Sequence, residues 1–179
     1  MLEEIGSLKH IKEVIDKSRK ITSVIYNSAQ AVNHMRDNYT GGRNLLRSGI
    51  TRFATEHVAL ESLLRHKHPL QRCFTDERFL SYVGINDKKK KSIVGVCENV
   101  LDKSFWHRVD EVCKVMEPLV KVLKVVDQDK KPTMPYIYEA MDRAKRSIET
   151  IRNHKTYIKI IDSRWNRQLH NNLHAAGNM

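Results

Sequence analysis

The chain is short of nearly everything that marks a secreted, membrane-bound or catalytic protein. It has three cysteines, Cys73, Cys97 and Cys113, far apart and odd in number. They form no Cys-x-x-Cys pair and no disulfide framework, which points to a reduced, intracellular protein. No apolar run approaches the roughly 20 residues that span a membrane. The opening MLEEIGSLKHIKEV lacks the basic and apolar regions of a secretory signal, and its early acids argue against a transit peptide. There is no Gly-x-Ser-x-Gly elbow, phosphate-binding glycine loop or dinucleotide fingerprint, and Gly41-Gly42 reads as a turn. No nucleophile, cofactor site or small-molecule substrate is therefore expected, and no enzymatic activity. His66-Lys67-His68 places its two imidazoles on different sides of a helix, without a cysteine or carboxylate set to complete a metal site. It reads as a surface basic patch. His170 and His174 share a face but lack the His-Glu-x-x-His pattern, so no metal is expected there either. No β-alternating stretch and no internal repeat stands out.

What is present is charge and helical rhythm. The 179 residues are 40% hydrophobic and 30% charged, as in a globular protein rather than a disordered one. The formal net charge is +11 and the pI about 9.7. Such a field favours nucleic acid or another acidic surface as partner. The strongest pattern lies in Ser104–Asp127, where Phe105, Val109, Val112, Met116, Leu119, Leu123 and Val126 recur at steps of four and three. That spacing makes one stripe of an α-helix. Cys113, Val115, Val120 and Val122 widen it, as expected of a helix surrounded by others. Pro118 should bend it.

The rest of the chain reads as further helices. Ile5–His34 is expected to be one long helix, ending at DNYTGG (37–42), where asparagine and paired glycines favour a turn. Thr51 is the expected cap of a helix reaching His66-Lys67-His68-Pro69. Thr75 is the expected cap of a short one burying Phe79, Leu80 and Val83. Lys88–Lys91 is a charged turn or helix start, too short to assert a nuclear signal. Ile93–Leu101 is a short apolar helix. After the DQDKKPTMP loop, helices follow from Thr133 and from Thr156. The expectation is an all-α, irregular bundle of about six or seven helices around a central buried helix at 104–127. It forms a single domain over 1–170, with an unstructured tail at 171–179. Acids such as Glu139 and Asp142 pair with Arg143 and Arg146 at helical spacing, which is ordinary surface chemistry.

The candidate contacts to nucleic acid are arginines. Arg36, Arg43, Arg47 and Arg52 fall on or beside the connection after the first helix, and Arg65, Lys67 and Arg72 follow the second. Arginine in flexible connections can reach phosphates bidentately. Phe53, beside Arg52, offers either a ring to stack on a base or a buried core residue.

Several stretches resemble the plant-type hAT transposase family. They are KITSVIYN (20–27), LLRSGITRFAT (45–55), FWHRVDEVCKVMEPLVKVLKVVD (105–127), KPTMPYIYEAMDRAK (131–145) and RWNRQLHNNLHAAG (164–177). They occur in the family's order and are spread over most of the chain, from residue 20 to residue 177. The resemblance implies the all-helical insertion of an RNase H-like transposase core, whose Asp, Asp, Glu triad binds divalent metals. The matching region lies between the second Asp and the Glu. Residues 171–179 would then be a truncated return into that core, and Met1 an internal methionine of a longer ancestor. None of the triad can be assigned to this chain, nor can the family's zinc finger or dimerisation segment.

By position, Arg52-Phe53 takes the place of the family's Arg-Trp pair, which helps hold a DNA hairpin end or a flipped base. Phenylalanine keeps the stacking face and loses the indole N–H. The expectation is thus a non-catalytic, transposon-derived helical module, located in the nucleus. Its DNA binding is weak and salt-dependent through Arg43, Arg47, Arg52 and Phe53, and related transposase chains are further possible partners. The alternative is a helical interaction or oligomerisation module without a DNA role.

Overall fold

Helix caps decide where this chain turns. A computed structural model describes residues 1–47, 49, 53–85, 90–127 and 134–176, with the backbone alone at 53, 90, 134–135 and 168–176. The fold is all-α: among the described residues there are ten helices and no strand. The higher count than six or seven arises mostly from breaks inside stretches expected to be continuous. The residues group into two compact units, one of Lys9–Cys113 and one of Met1–Leu8 with Lys114–Met179.

The stretch expected as one helix from Ile5 to His34 is three: α1 (Leu2–Gly6), α2 (Lys9–Tyr26) and α3 (Ala29–Asn38). Ser28 makes the second break. Its backbone is extended and its hydroxyl accepts from the Ala31 N–H at 3.2 Å, satisfying one of the amides that a helix start leaves unpaired. α2 buries Ile11, Val14, Ile15, Ser18, Ile21 and Ile25 on one face.

The 9–113 unit continues with α4 (Phe53–Arg65), α5 (Lys67–Cys73), α6 (Glu77–Tyr82) and α7 (Lys90–Leu101). The expected cap Thr51 lies outside the described residues. Pro69 does not end the chain's helical run; it sits in the first turn of α5, where a missing N–H costs no helical bond. α6 is capped by Asp76 rather than Thr75. The Asp76 carboxylate accepts from the Arg78 and Phe79 amides, while the Thr75 hydroxyl donates back to the Arg72 carbonyl. α2 packs against α3, α4 and α7, α3 against α6, and α5 against α7.

The central stripe forms α8 (Lys103–Val126). Asp102 starts it by accepting from the Ser104 and Phe105 amides. Phe105, Val109, Val112, Cys113, Val115, Met116, Leu119, Val120 and Val122 are buried, whereas Val126 at the end is 45% exposed. Pro118 lies inside the helix, which continues past it. Buried Trp106 donates its indole N–H to the Val100 carbonyl at 2.7 Å, stitching α8 to the end of α7.

In the other unit, α9 (Met134–Glu149) and α10 (His154–Ala176) pack against each other, and α1 packs on α10. Thr133 lies outside the described residues, and α10 starts before the expected Thr156. Asn153 adopts a left-handed backbone between the two helices, a conformation asparagine tolerates. Lys145 pairs with Asp162 at 2.5 Å and Arg164 with Glu4 at 2.7 Å. α10 runs on through Ala176, into the stretch expected as an unstructured tail.

Candidate nucleic-acid interface

The connection from α3 to α4 carries Arg43 and Arg47, with Arg36 on the last turn of α3. It begins with a tight reversal. Gly41 and Gly42 have φ of +60° and +78°, a region costly for any residue with a Cβ. The Gly42 N–H donates to the Arg36 carbonyl at 2.8 Å.

The expectation of a flexible connection is not what the structure shows for its described part. Buried Thr40 donates its hydroxyl to the Arg43 carbonyl at 2.5 Å. Tyr26, on α2, donates its phenol to the Leu45 carbonyl at 2.7 Å. The Leu46 N–H donates to the Ser62 hydroxyl on α4 at 3.0 Å. Leu45 itself is buried, 3% exposed. The path from Thr40 to Leu46 is thus fastened to α2 and α4, because its carbonyls and amides would otherwise lie unpaired near the core.

The arginine side chains remain on the outside. Arg43 and Arg47 are exposed. The Arg47 guanidinium lies 4.5 Å from the centre of the Tyr26 ring, a cation–π distance. Burial pushes the Tyr26 phenol above its ordinary value, with Arg47 opposing the shift. Arg36 reaches the Gly42 carbonyl at 3.4 Å. Among the described residues none of these three is paired with a carboxylate. Of the acids on α4, Glu61 pairs with Arg65 at 3.0 Å, and Glu56 with Arg19.

A second tyrosine stands where the connection leaves α3. Tyr39 donates its phenol to Asp76 Oδ2 at 2.6 Å. His34 Nε2 reaches the same oxygen at 2.8 Å. The Asn38 amide lies 3.3 Å from His34 Nδ1, an arrangement that suits the tautomer in which Nδ1 accepts and the Nε2–H donates to Asp76. Asp76 thus caps α6 with one oxygen and holds α3 with the other. These bonds, from Tyr39 first and then His34, hold its carboxyl well below the usual carboxylate range. The same hydrogen bond, with burial, pushes the Tyr39 phenol up to about 12. Arg72 lies 5.9 Å from the Tyr39 ring centre.

No protein-family model matches this chain, and no curated protein or solved structure shows significant similarity to it.

Of the four residues expected to contact nucleic acid, the structure places Arg43 and Arg47 on one fastened connection. Arg52 lies outside the described residues. Phe53 is the first residue of α4, described by its backbone alone. Of the second basic group, Arg65 is held by Glu61, and Arg72 joins the site through Tyr39. The tyrosines carried no sequence signal, because Tyr26 and Tyr39 meet their partners only through tertiary packing. The patch read at His66-Lys67-His68 is a correction. His66 is buried and its Nδ1 lies 2.8 Å from the Ser62 carbonyl, so only His68 is an exposed imidazole. Among the described residues no three His, Cys, Asp or Glu side chains converge as a metal set, and no helix is long and apolar enough to cross a membrane.

Proposed function

We propose that the chain is a non-catalytic, basic helical module that binds DNA through the α3–α4 connection, as expected of a fragment related to the insertion of hAT-type transposases. One observation supports this reading most directly. The connection is tied to α2 and α4 by its backbone, while Arg43 and Arg47 face outward without acidic partners among the described residues. Arginines on a fastened path lose less freedom when they close on phosphates than arginines on a free loop. Stacking on Tyr26 holds the Arg47 fork over a ring, and a guanidinium stacked in this way can still donate in a fork to a phosphate. The net charge of +11 adds long-range attraction,. Arg52 and Phe53 belong to the same proposal, as does a nuclear location.

Binding of this kind is dominated by counterion release. Affinity for a hairpin DNA, followed by fluorescence anisotropy from about 50 to 200 mM salt, should fall linearly on logarithmic axes with a slope of about −0.9 per neutralised phosphate. Arg43→Ala/Arg47→Ala should make that slope shallower by about two. An Arg52→Ala/Phe53→Ala variant should weaken hairpin binding further than plain duplex binding. Unchanged affinity and slope in the Arg43/Arg47 variant would place the DNA surface elsewhere.

A second reading is a protein-interaction module. It draws on Tyr136 and Tyr138 of α9, exposed by 64% and 41%, with Tyr138 set edge-on to Trp165 of α10 at 5.4 Å. Tyrosine and tryptophan on a surface are common anchors of protein interfaces. Sedimentation separates this reading from the first: concentration-dependent self-association lost in Tyr136→Ala/Tyr138→Ala would favour it.

A further inference from the structure

A cleft of about 640 Å³ opens between α2, the end of α6 and α7. Its size lies within the roughly 300–1,000 Å³ of sites that hold small ligands. All its lining residues belong to the 9–113 unit and none to the arginine connection. Its floor is apolar: Ile93 and Val96 are 3% and 4% exposed. Its wall on the α6 side is the Tyr82 ring, and along α2 and just past its end it is lined by Lys20, Ser23 and Asn27.

Two features separate this lining from ordinary polar surface. The Tyr82 ring is braced: His34 meets it edge-on at 5.5 Å, and His34 is itself held by Asp76. An aromatic wall fixed in this way can stack a planar ligand without first losing rotamer freedom. In addition, the side chains of Lys20, Ser23 and Asn27 make no hydrogen bond or ion pair with other described residues. Among the described residues their donors and acceptors have no partner.

We propose that this cleft binds a nucleotide. A flat base satisfies the ring and the apolar floor. The base's polar edge matches the Asn27 amide and the Ser23 hydroxyl, which both donate and accept. The phosphate matches the ammonium of Lys20, in a protein whose overall field already favours anions. A purely apolar ligand would leave Lys20, Ser23 and Asn27 unused. A simple anion would leave the ring and floor unused. The nucleotide is either free or part of a single strand, and its chemistry in the cleft is the same.

The test uses the full chain with AMP, GMP, CMP and UMP as separate probes, and with a single-stranded oligonucleotide, measured by ligand-detected NMR and anisotropy. At least one probe should bind. Tyr82→Ala should weaken it about fivefold or more, the loss expected for one stacked base, while Tyr82→Phe keeps the affinity. Lys20→Gln should weaken a mononucleotide but leave the matching nucleoside unchanged. Circular dichroism melts confirm that each variant is folded, and Tyr82 is exposed enough (36%) for truncation to be tolerated. Binding of mononucleotides identifies a free ligand. Binding of the oligonucleotide alone, sensitive to Tyr82→Ala, identifies a strand. No binding of any probe at millimolar concentration overturns the proposal. So does binding that survives Tyr82→Ala and Lys20→Gln, even if it is lost in Arg43→Ala/Arg47→Ala, an outcome that leaves the arginine reading standing.

Discussion

Replacing Asp76 with asparagine should be among the most damaging single-atom changes in the 9–113 unit. One oxygen of Asp76 accepts from the Arg78 and Phe79 amides, and the other from Tyr39 and His34. Asparagine is a good helix cap and can keep the first set. Its second position is then an NH₂ group facing two donors. Two hydrogen bonds to a charged acceptor are lost, at about 1.5–3 kcal/mol each. Because both end on one oxygen, their sum is less than additive, and about 3 kcal/mol is expected. Urea unfolding read by Trp106 fluorescence, in a Trp165→Phe background, measures it. A loss under about 1 kcal/mol would refute the assignment of Asp76 as the joint clasp of α3 and α6. The pH dependence gives an independent check through Tyr39→Phe. Asp76 has a depressed folded value, so its contribution is present above 3.8, the ordinary value, and fades as pH falls below it,. Tyr39 has a raised value, so its contribution is complete below 10 and is lost as pH rises through about 12. The stability gap between the wild type and Tyr39→Phe should therefore be flat from about pH 5 to 9 and narrow on both sides. A gap that stays constant from pH 3 to 12 would refute the hydrogen bond.

Three further substitutions probe buried polar groups. Glu56 is 7% exposed in its side chain and Arg19 is 55% exposed. Arg19→Ala leaves a buried carboxylate unpaired, whereas Glu56→Gln releases an arginine into water. The first should therefore cost more, about 1–3 kcal/mol for a buried group left unpaired, and equal losses in urea unfolding would contradict the asymmetry. Trp106→Phe removes the indole bond to Val100 and leaves a buried carbonyl unpaired. A loss of about 2–4 kcal/mol is expected from the unpaired group and the lost volume together, and a calorimetric melt would register it.

The parts of the fold visible in the sequence are those governed by neighbours along the chain. The α8 stripe is one: its burial from Phe105 to Val122 follows the four-three spacing, and only its end departs, with Val126 half exposed. The α9 and α10 faces are another in part: Met141, Ala144, Ile148 and Ile161 are buried, while Ile137, Ile151, Ile158 and Trp165, expected on the same faces, are half-buried. The break at Ser28 was hidden because Ile25, Ala29 and Val32 keep the helical phase across it. The rhythm ran on while the backbone did not, and Ala29, counted in that stripe, is exposed. Thr75 and Asp76 are both capping residues, and sequence alone does not choose between them. Tertiary structure does, because only Asp76 has a second oxygen with which to hold Tyr39 and His34. The arginines of the site were legible as composition. Their support by Tyr26, Thr40 and Ser62 was not, since each bond joins residues whose separation carries no periodic signal.

Asp76 matters beyond stability. Its network has two branches. Through Tyr39 it reaches the start of the arginine connection and the Arg72 guanidinium. Through His34 it braces the Tyr82 wall of the cleft. A hydrogen-bonded carboxylate that merely capped α6 would need only the oxygen that faces the Arg78 and Phe79 amides. The second oxygen takes two further donors from α3 and its C-terminal end, so the positions of the connection and of the Tyr82 wall are both set by one side chain. Removing the Tyr39 branch disturbs the connection and leaves His34 on Asp76. Removing the His34 branch loosens Tyr82 and leaves Tyr39 in place. The two proposed binding surfaces are therefore separable at the level of single side chains, although a loss at Asp76 reaches both.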